Sequence, residues 1–259
     1  MVEPAAGVWY TEMMAQTKRH DGRRANAMRD VKITPDFVSS AAGSCLIEVG
    51  GTRVICTASV EQSVPRWREA SGKGWVTAEY GMLPASTGRR KSRPGLKPDS
   101  RGVEIQRLIG RVLRSVICFE KFPGVTIHLD CDVLEADGGT RTASITGAMV
   151  ALDIAVRRGI ADGTMQRGAL ASQVAAISVG IVDGKVLLDL NYIEDSAADV
   201  DMNVAMNKAG QLIEIQGTSE AAPFDREQLD AMLDSATAGI RKLLRLQRQA
   251  VKQAMGATQ

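Results

Sequence analysis

Residues 125–158 read VTIHLDCDVLEADGGTRTASITGAMVALDIAVRR, and they hold a strand, a tight turn and a helix in direct succession. In residues 125–134, Val125, Ile127, Leu129, Cys131 and Val133 alternate with other side chains, the two-residue period of a strand that buries one face. The period then changes. Over residues 140–158, Ile145, Ala148, Met149, Leu152, Ala155 and Val156 fall on one stripe at helical spacing, and Arg157 and Arg158 place positive charge at the end the helix dipole favours. Between the two elements stands Asp137-Gly138-Gly139-Thr140-Arg141, whose glycines open backbone paths that other residues rarely take. A strand that runs straight into a helix, among further strands, implies an α+β chain with sheets packed against helices.

Working outward, residues 44–49 and 53–60 are β-rich runs joined through Gly50-Gly51-Thr52, and residues 174–182 and 185–193 form a second hairpin around Asp183-Gly184. Residues 49–55 resemble residues 182–187, a short match that suggests two β-β-α-type halves. A helix is expected after Glu104, with Ile105, Leu108, Ile109, Val112 and Val116 on its apolar face. Residues 66–101 are rich in glycine and proline and read as loop, with only residues 74–80 strand-like. Strands over residues 199–206 and 211–216 precede a long helix that starts at Asp225, with Gln228 placed to complete its cap. The folded pattern begins near Val31. Residues 1–17 lack the basic start and apolar core of a signal peptide; they read as a mobile leader, or as a short docking segment, ahead of one domain over residues 18–259.

Composition excludes little and bounds much. Apolar residues at 44% and charged residues at 24% describe an ordinary globular chain, and the net charge of +2 does not by itself announce a nucleic-acid partner. No stretch approaches the roughly 20 apolar residues that cross a membrane. Cys45, Cys56, Cys118 and Cys131 each lie in apolar runs without a C-x-x-C pair and read as core thiols of a reducing cytoplasm; zinc ligation or a disulfide is the other reading.

Three constellations could carry chemistry. Gly139, Thr140 and Arg141 at a helix start offer amides, a hydroxyl and a planar guanidinium to an anion, although a glycine turn with a plain threonine N-cap would look the same. Arg141 tilts the balance, because a cation in a helix's first turn opposes the dipole and calls for an anionic partner. Residues 88–101 gather Arg89, Arg90, Lys91, Arg93, Lys97 and Arg101 against Asp99 alone; a loop of this kind tracks an RNA backbone, or serves as a solvated surface. Arg101 directly precedes the expected Glu104 helix. Third, Asp199, Asp201 and Asn203 should share one strand face, with Asp195 on the turn before them; carboxylates this dense suggest Mg²⁺ or Mn²⁺, or a solvated acidic turn. Anion cradle, basic loop and hard-cation site together describe phosphoryl transfer.

Several stretches are also familiar as a set: residues 74–84 (GWVTAEYGMLP), 104–111 (EIQRLIGR), 130–144 (DCDVLEADGGTRTAS), 194–198 (EDSAA) and 201–203 (DMN). In these the chain resembles the ribonuclease PH family of phosphorolytic exoribonucleases, relatives of polynucleotide phosphorylase and of exosome ring subunits. The resemblance implies a duplicated β-α-β unit like domain 2 of ribosomal protein S5, six copies assembled as a trimer of dimers, and 3′→5′ trimming of precursor tRNA and other RNA with release of nucleoside 5′-diphosphates. It also implies that Arg101, Gly139, Thr140 and Arg141 bind inorganic phosphate, and that Asp195 and Asp201 serve metal binding and catalysis. Two departures bear on RNA grip: Asp99-Ser100-Arg101-Gly102 stands where the family shows a Gly-Arg-Thr ending, and Ala85 where a basic residue is common. The alternatives are a catalytically silent ring subunit that threads RNA and a hydrolytic nuclease built on the same acidic pair.

Overall fold

The structure is a computed structural model and describes residues 19–93 and 99–256. Among these residues nine strands form two sheets. The first sheet holds β1 (Val31–Pro35), β2 (Gly43–Val49), β3 (Thr52–Glu61), β4 (Trp75–Met82) and β5 (Thr126–Glu135) in the order β1-β2-β3-β5-β4. Its neighbours are antiparallel except β4 and β5, which run parallel because helix α2 (Ser100–Arg114) carries the chain back across the sheet. The second sheet is antiparallel throughout, β7-β6-β8-β9, from β6 (Val174–Val182), β7 (Lys185–Leu188), β8 (Val200–Asn207) and β9 (Leu212–Ser219). Helix α3 (Thr140–Ala161) lies on β2 and β3 and also touches β6, while α5 (Arg226–Gly256) packs on β6, β7, β1 and α3. A four-residue helix, α1 (Arg66–Glu69), and a five-residue one, α4 (Tyr192–Ser196), complete the set. None of the helices described is long and apolar enough to cross a membrane.

The expected α+β layering is what forms, with instructive differences. Helix α3 was expected to bury one stripe, yet every residue from Thr142 to Val156 is buried. The reason is its position between the first sheet and the β6–α5 layer, which leaves no solvent face, and its small residues permit that approach. A Cβ on Gly147 would sit 2.6 Å from Cys56 Sγ, and one on Gly43 2.2 Å from the Ala151 carbonyl. Cys45, Cys56 and Cys131 are register neighbours across β2, β3 and β5 and form the floor under this helix, with Cys45 Sγ 3.3 Å from the Gly147 carbonyl. These three are free and buried, as core thiols are, whereas Cys118 is only partly buried.

Other boundaries moved for local reasons. Helix α2 begins at Ser100, because the Asp99 carboxylate accepts from the Arg101 amide and caps it; Arg101 therefore sits inside the first turn instead of ahead of the helix. The second hairpin turns tightly on Asp183 and Gly184, at φ 50° and 69°, but its return strand stops at Leu188 and not Ile193. Asp189 takes φ 57°, and Asn191 and Glu194 then close a capping box that starts α4. The reciprocal cap expected at α5 is present: Asp225 accepts from the Gln228 amide at 2.8 Å and Gln228 accepts from the Asp225 amide at 2.9 Å. Packed structure also begins before Val31, since Arg19 and Arg29 are both buried. The leader over residues 1–17 and Lys97 lie outside the described residues.

Candidate active site

The turn that opens α3 is built from both glycines. Gly138 and Gly139 hold φ 73° and 66°, the left-handed region in which a Cβ is disfavoured. Gly138 has no room for one either, because its Cβ would lie 2.6 Å from the Asn191 carbonyl carbon and 2.8 Å from the Leu190 oxygen. The glycine turn is thereby pressed onto the start of α4. Gly139 is the N-cap residue and supplies no side-chain acceptor, so the first amides of α3 face outward uncapped. Thr52 braces the turn from β3: its hydroxyl donates to the Gly138 carbonyl at 2.7 Å and accepts from the Asp137 amide at 2.9 Å. From β4, the Tyr80 hydroxyl donates to Thr140 Oγ1 at 2.9 Å, and burial pushes the Tyr80 pKa up.

Beneath the turn lies a set of buried ions. Arg29 forks onto Asp189, Nη2 to Oδ1 at 2.7 Å and Nε to Oδ2 at 3.0 Å, and its Nη1 also donates to the Asp137 carbonyl. Arg19 pairs with Glu194 and donates to the Leu188 and Asp189 carbonyls at 2.6 and 2.9 Å. Burial opposes the Glu194 carboxylate, yet Arg19, the Asn191 amide and Arg23 outweigh it and hold its pKa below the usual carboxylate range. These contacts seat α4, on which Asp195 stands, beside the glycine turn.

Two arginines act on the same groups above this frame. Arg141 donates from Nη1 to Gln216 Oε1 at 2.6 Å and to Glu104 Oε1 at 3.3 Å, so Glu104 is the anion its first-turn position calls for. No bond from its Nε or Nη2 is formed among the described residues. Arg101 is exposed, and its charge acts, with that of Arg141, on Tyr80, Asp195 and Asp201. Arg101 and Arg141 thus lie within electrostatic reach of the acidic pair and of Tyr80, which bonds Thr140.

The acids are held against their preference. Burial raises the Asp195 pKa, although Arg101, Arg141 and Arg29 pull it back. Burial, then the neighbouring Asp195 and Glu220, push the Asp201 carboxyl up to about 6 against the opposing Arg141 and Arg101. Asp201 Oδ1 is buried and without a hydrogen-bond partner among the described residues. Buried oxygens are ordinarily satisfied, so this one fits a ligand. No cluster of three or more histidine, cysteine or carboxylate groups suited to a metal occurs among the described residues. Two carboxylates nevertheless suit Mg²⁺, which keeps several waters and takes its other ligands from phosphate oxygens. The leading charges on Asp201 come from Asp195, Arg141, Glu220 and Arg101; Asp199, expected on the same face, is not among them. Asp199 precedes β8, and its carbonyl accepts from the Glu220 amide at 2.9 Å.

The basic loop leaves β4 toward α2. Arg89, Arg90 and Arg93 are exposed, and Lys91 is half-buried, with its amide on the Pro84 carbonyl at 2.8 Å. Arg19, Arg29, Thr52, Tyr80, Glu104 and Gln216 were not legible as site residues, since burial and cross-element bonds give them their roles. The Asn191-x-x-Glu194 spacing was the one available signal for α4.

Comparison with known proteins decides the family. The profile of the 3′ exoribonuclease family, domain 1, matches residues 27–157, and that of domain 2 matches residues 172–239. A ribonuclease PH from Rhodococcus erythropolis is 55% identical over 238 residues, which is 91% of either chain. The chain belongs to the ribonuclease PH family of phosphate-dependent 3′ exoribonucleases. A second ribonuclease PH, from Neisseria meningitidis serogroup C, is 52% identical over 234 residues, 90% of this chain and 97% of its own. Among solved structures the fold is similar to rice Rrp46, with TM-score 0.74, 19% identity, and coverage of 90% of this chain and 100% of that one. It is also similar to a chain of the Archaeoglobus fulgidus exosome with RNA bound to the active site, with TM-score 0.76, 22% identity, and coverage of 92% and 96%. In ribonuclease PH terms the glycine turn belongs to domain 1 and both aspartates to domain 2, so the candidate site is assembled across the two.

Proposed function

We propose that this pocket binds the attacking orthophosphate between Arg101, Arg141, Thr140, Gly139 and the first amides of α3, and that Asp195 and Asp201 together take Mg²⁺ or Mn²⁺. An oxygen of the phosphate attacks the phosphorus of the terminal linkage, the bond to the departing 3′ oxygen breaks, a nucleoside 5′-diphosphate leaves, and the RNA keeps a new 3′ hydroxyl. The arginines hold the incoming anion in line and lower the repulsion between two phosphoryl groups. A divalent ion, when bound, offsets the charge that builds on the scissile phosphoryl group. Asp201 assists protonation of the departing oxygen. Arg89, Arg90, Lys91, Arg93 and Lys97 guide the RNA backbone toward the pocket without reading bases. The 3′ extension of precursor tRNA is the substrate we infer, processed by a homohexamer, a trimer of dimers, in the cytoplasm, with residues 18–259 acting as one ribonuclease PH unit.

The observation that supports this reading is the buried Asp201 Oδ1 without a partner among the described residues, on a carboxylate that feels the charges of Arg101, Arg141 and Asp195. Arg141→Ala should raise the phosphate concentration for half-maximal rate at least tenfold, since one charge-assisted contact is worth roughly 1.5–3 kcal/mol. Unchanged phosphate dependence would remove Arg141 from the site. Chromatography of the products from 3′-extended RNA, Mg²⁺ and phosphate separates the alternatives: diphosphates mean phosphorolysis, monophosphates hydrolysis, and neither a silent ring subunit.

A further inference from the structure

The distal part of α5 carries a charge pattern that the pocket does not use. From Ser235 to Gly256 the helix has no acidic residue, and it holds Arg241, Lys242, Arg245, Arg248 and Lys252. All five are exposed, and none forms an ion pair among the described residues. At about 100° per residue, Arg241, Arg245, Arg248 and Lys252 fall within an arc of roughly 60°, in a row about 16 Å long. The whole chain carries only +2, so this row is a strong local concentration of charge. Complementing the helix dipole does not account for it, because that effect fades within the last turn, which holds no basic residue. Side chains that covered apolar surface would show it as burial, and these do not.

We infer that this row is a second RNA-binding surface, which holds phosphates of the substrate's body while its 3′ end occupies the pocket; the inference rests on the RNA-trimming reading above. Cations four residues apart stand about 6 Å apart along the axis, a spacing that suits contacts to a phosphodiester strand. A lipid surface fits poorly. A membrane-seated helix needs a free apolar face, whereas Ile240, Leu243, Leu244 and Val251 of α5 are buried in the core, and Gln249 and Gln253 lie exposed among the cations. Place also matters. On the buried side of α5, Leu243 lines a small cleft with Gly139 and Thr142, so the basic row lies about one helix diameter, roughly 10–12 Å, from the floor of the glycine turn. It faces away from that floor. A short oligonucleotide in the pocket would not span both, and an RNA with a body would.

The test replaces Arg241, Arg245 and Arg248 together by Gln, with the triple Arg→Lys variant as the charge-preserving partner. The probes are a 3′-extended precursor tRNA and a short single-stranded oligonucleotide. Expected for the Gln variant is a roughly tenfold rise in the ratio of KM for the tRNA precursor to KM for the oligonucleotide. The slope of log Kd for the tRNA against log salt should flatten by about 2–3, with the Lys variant near wild type on both readouts. An unchanged ratio and slope overturns the inference. So does a change in assembly size by light scattering without a change in RNA affinity, which would make the row a contact between copies, or binding of wild type to phosphatidylserine vesicles with no salt-sensitive tRNA binding. If the wild type released no diphosphates even from the oligonucleotide, the catalytic reading would fail, while tRNA binding would still judge the basic row.

Discussion

Arg29 shows how much of the proposed site rests on a buried ion pair beneath it. It is 6% exposed, its fork closes on Asp189, itself 3% exposed, and it reaches the Asp137 carbonyl of the glycine turn. Replacing it by Met takes both guanidinium bonds from Asp189 and leaves this buried carboxylate the residue-29 amide at 2.7 Å and Arg23 Nη1 at 3.5 Å, at a φ of 57° that is already costly. We expect Arg29→Met to lower unfolding stability by about 3 kcal/mol, the low end for a broken buried pair because Arg23 stays beside Asp189, read as a lower urea midpoint at unchanged slope. Arg29→Lys keeps the charge without the fork and should recover only part. A stability within 1 kcal/mol of wild type for the Met variant would show that the pair contributes little. At this scale the sequence exposed the groups whose chemistry is unusual for their place, such as Arg141 in a first turn and Asp195 with Asp201 around one strand start. It concealed Arg29, Thr52 and Tyr80, because nothing in an arginine, a threonine or a tyrosine announces that folding will bury it against a turn more than 50 residues away.

Among the elements, α3 and α4 meet through a glycine that allows a direct comparison. Gly138 and Gly163 both hold positive φ, 73° and 85°, but a Cβ on Gly163 meets nothing within 4 Å, whereas one on Gly138 runs into the backbone of residues 190–192. Gly163→Ala should therefore cost only the left-handed penalty, about 1–2 kcal/mol, and leave kcat/KM intact. Gly138→Ala carries the same penalty and must also part the glycine turn from α4. A displacement of about 1 Å between reacting groups can cost on the order of a hundredfold in rate, and that is the fall in kcat/KM expected here. Equal activity in the two variants would show that the turn and α4 need not be in register. The same pair of elements marks the limit of pattern reading. The period of 3.6 found α2 and α5, and the period of 2 found β5. Helix α4 is too short for any period, and its Tyr192-Ile193 start reads as strand. The reading of residues 185–193 as strand passed over it, and over the Asn191 cap that starts it.

Over the whole molecule, the short likeness between residues 49–55 and 182–187 turned out to mark the turns of β2–β3 and β6–β7, so the duplicated plan was visible in a few residues. What could not be seen was that α3 would be enclosed between the first sheet and the β6–α5 layer, since burial on all sides leaves no stripe to detect. That enclosure makes the proposed site a joint of the two halves, with Gly139, Thr140 and Arg141 from one and Asp195 and Asp201 from the other. A ligand that binds only the assembled joint must stabilise the fold by mass action. Phosphate at a hundred times its Kd adds about 2.7 kcal/mol, which in a chain of this size corresponds to roughly 5–10 °C in Tm. We expect that rise in a thermal melt with phosphate at constant ionic strength, and its loss in Arg101→Gln/Arg141→Gln. The double variant should still unfold cooperatively, because Arg101 is exposed and Arg141 bonds only to polar groups near the surface. A phosphate-dependent rise that survived in the double variant would place the anion elsewhere and detach the two arginines from the chemistry.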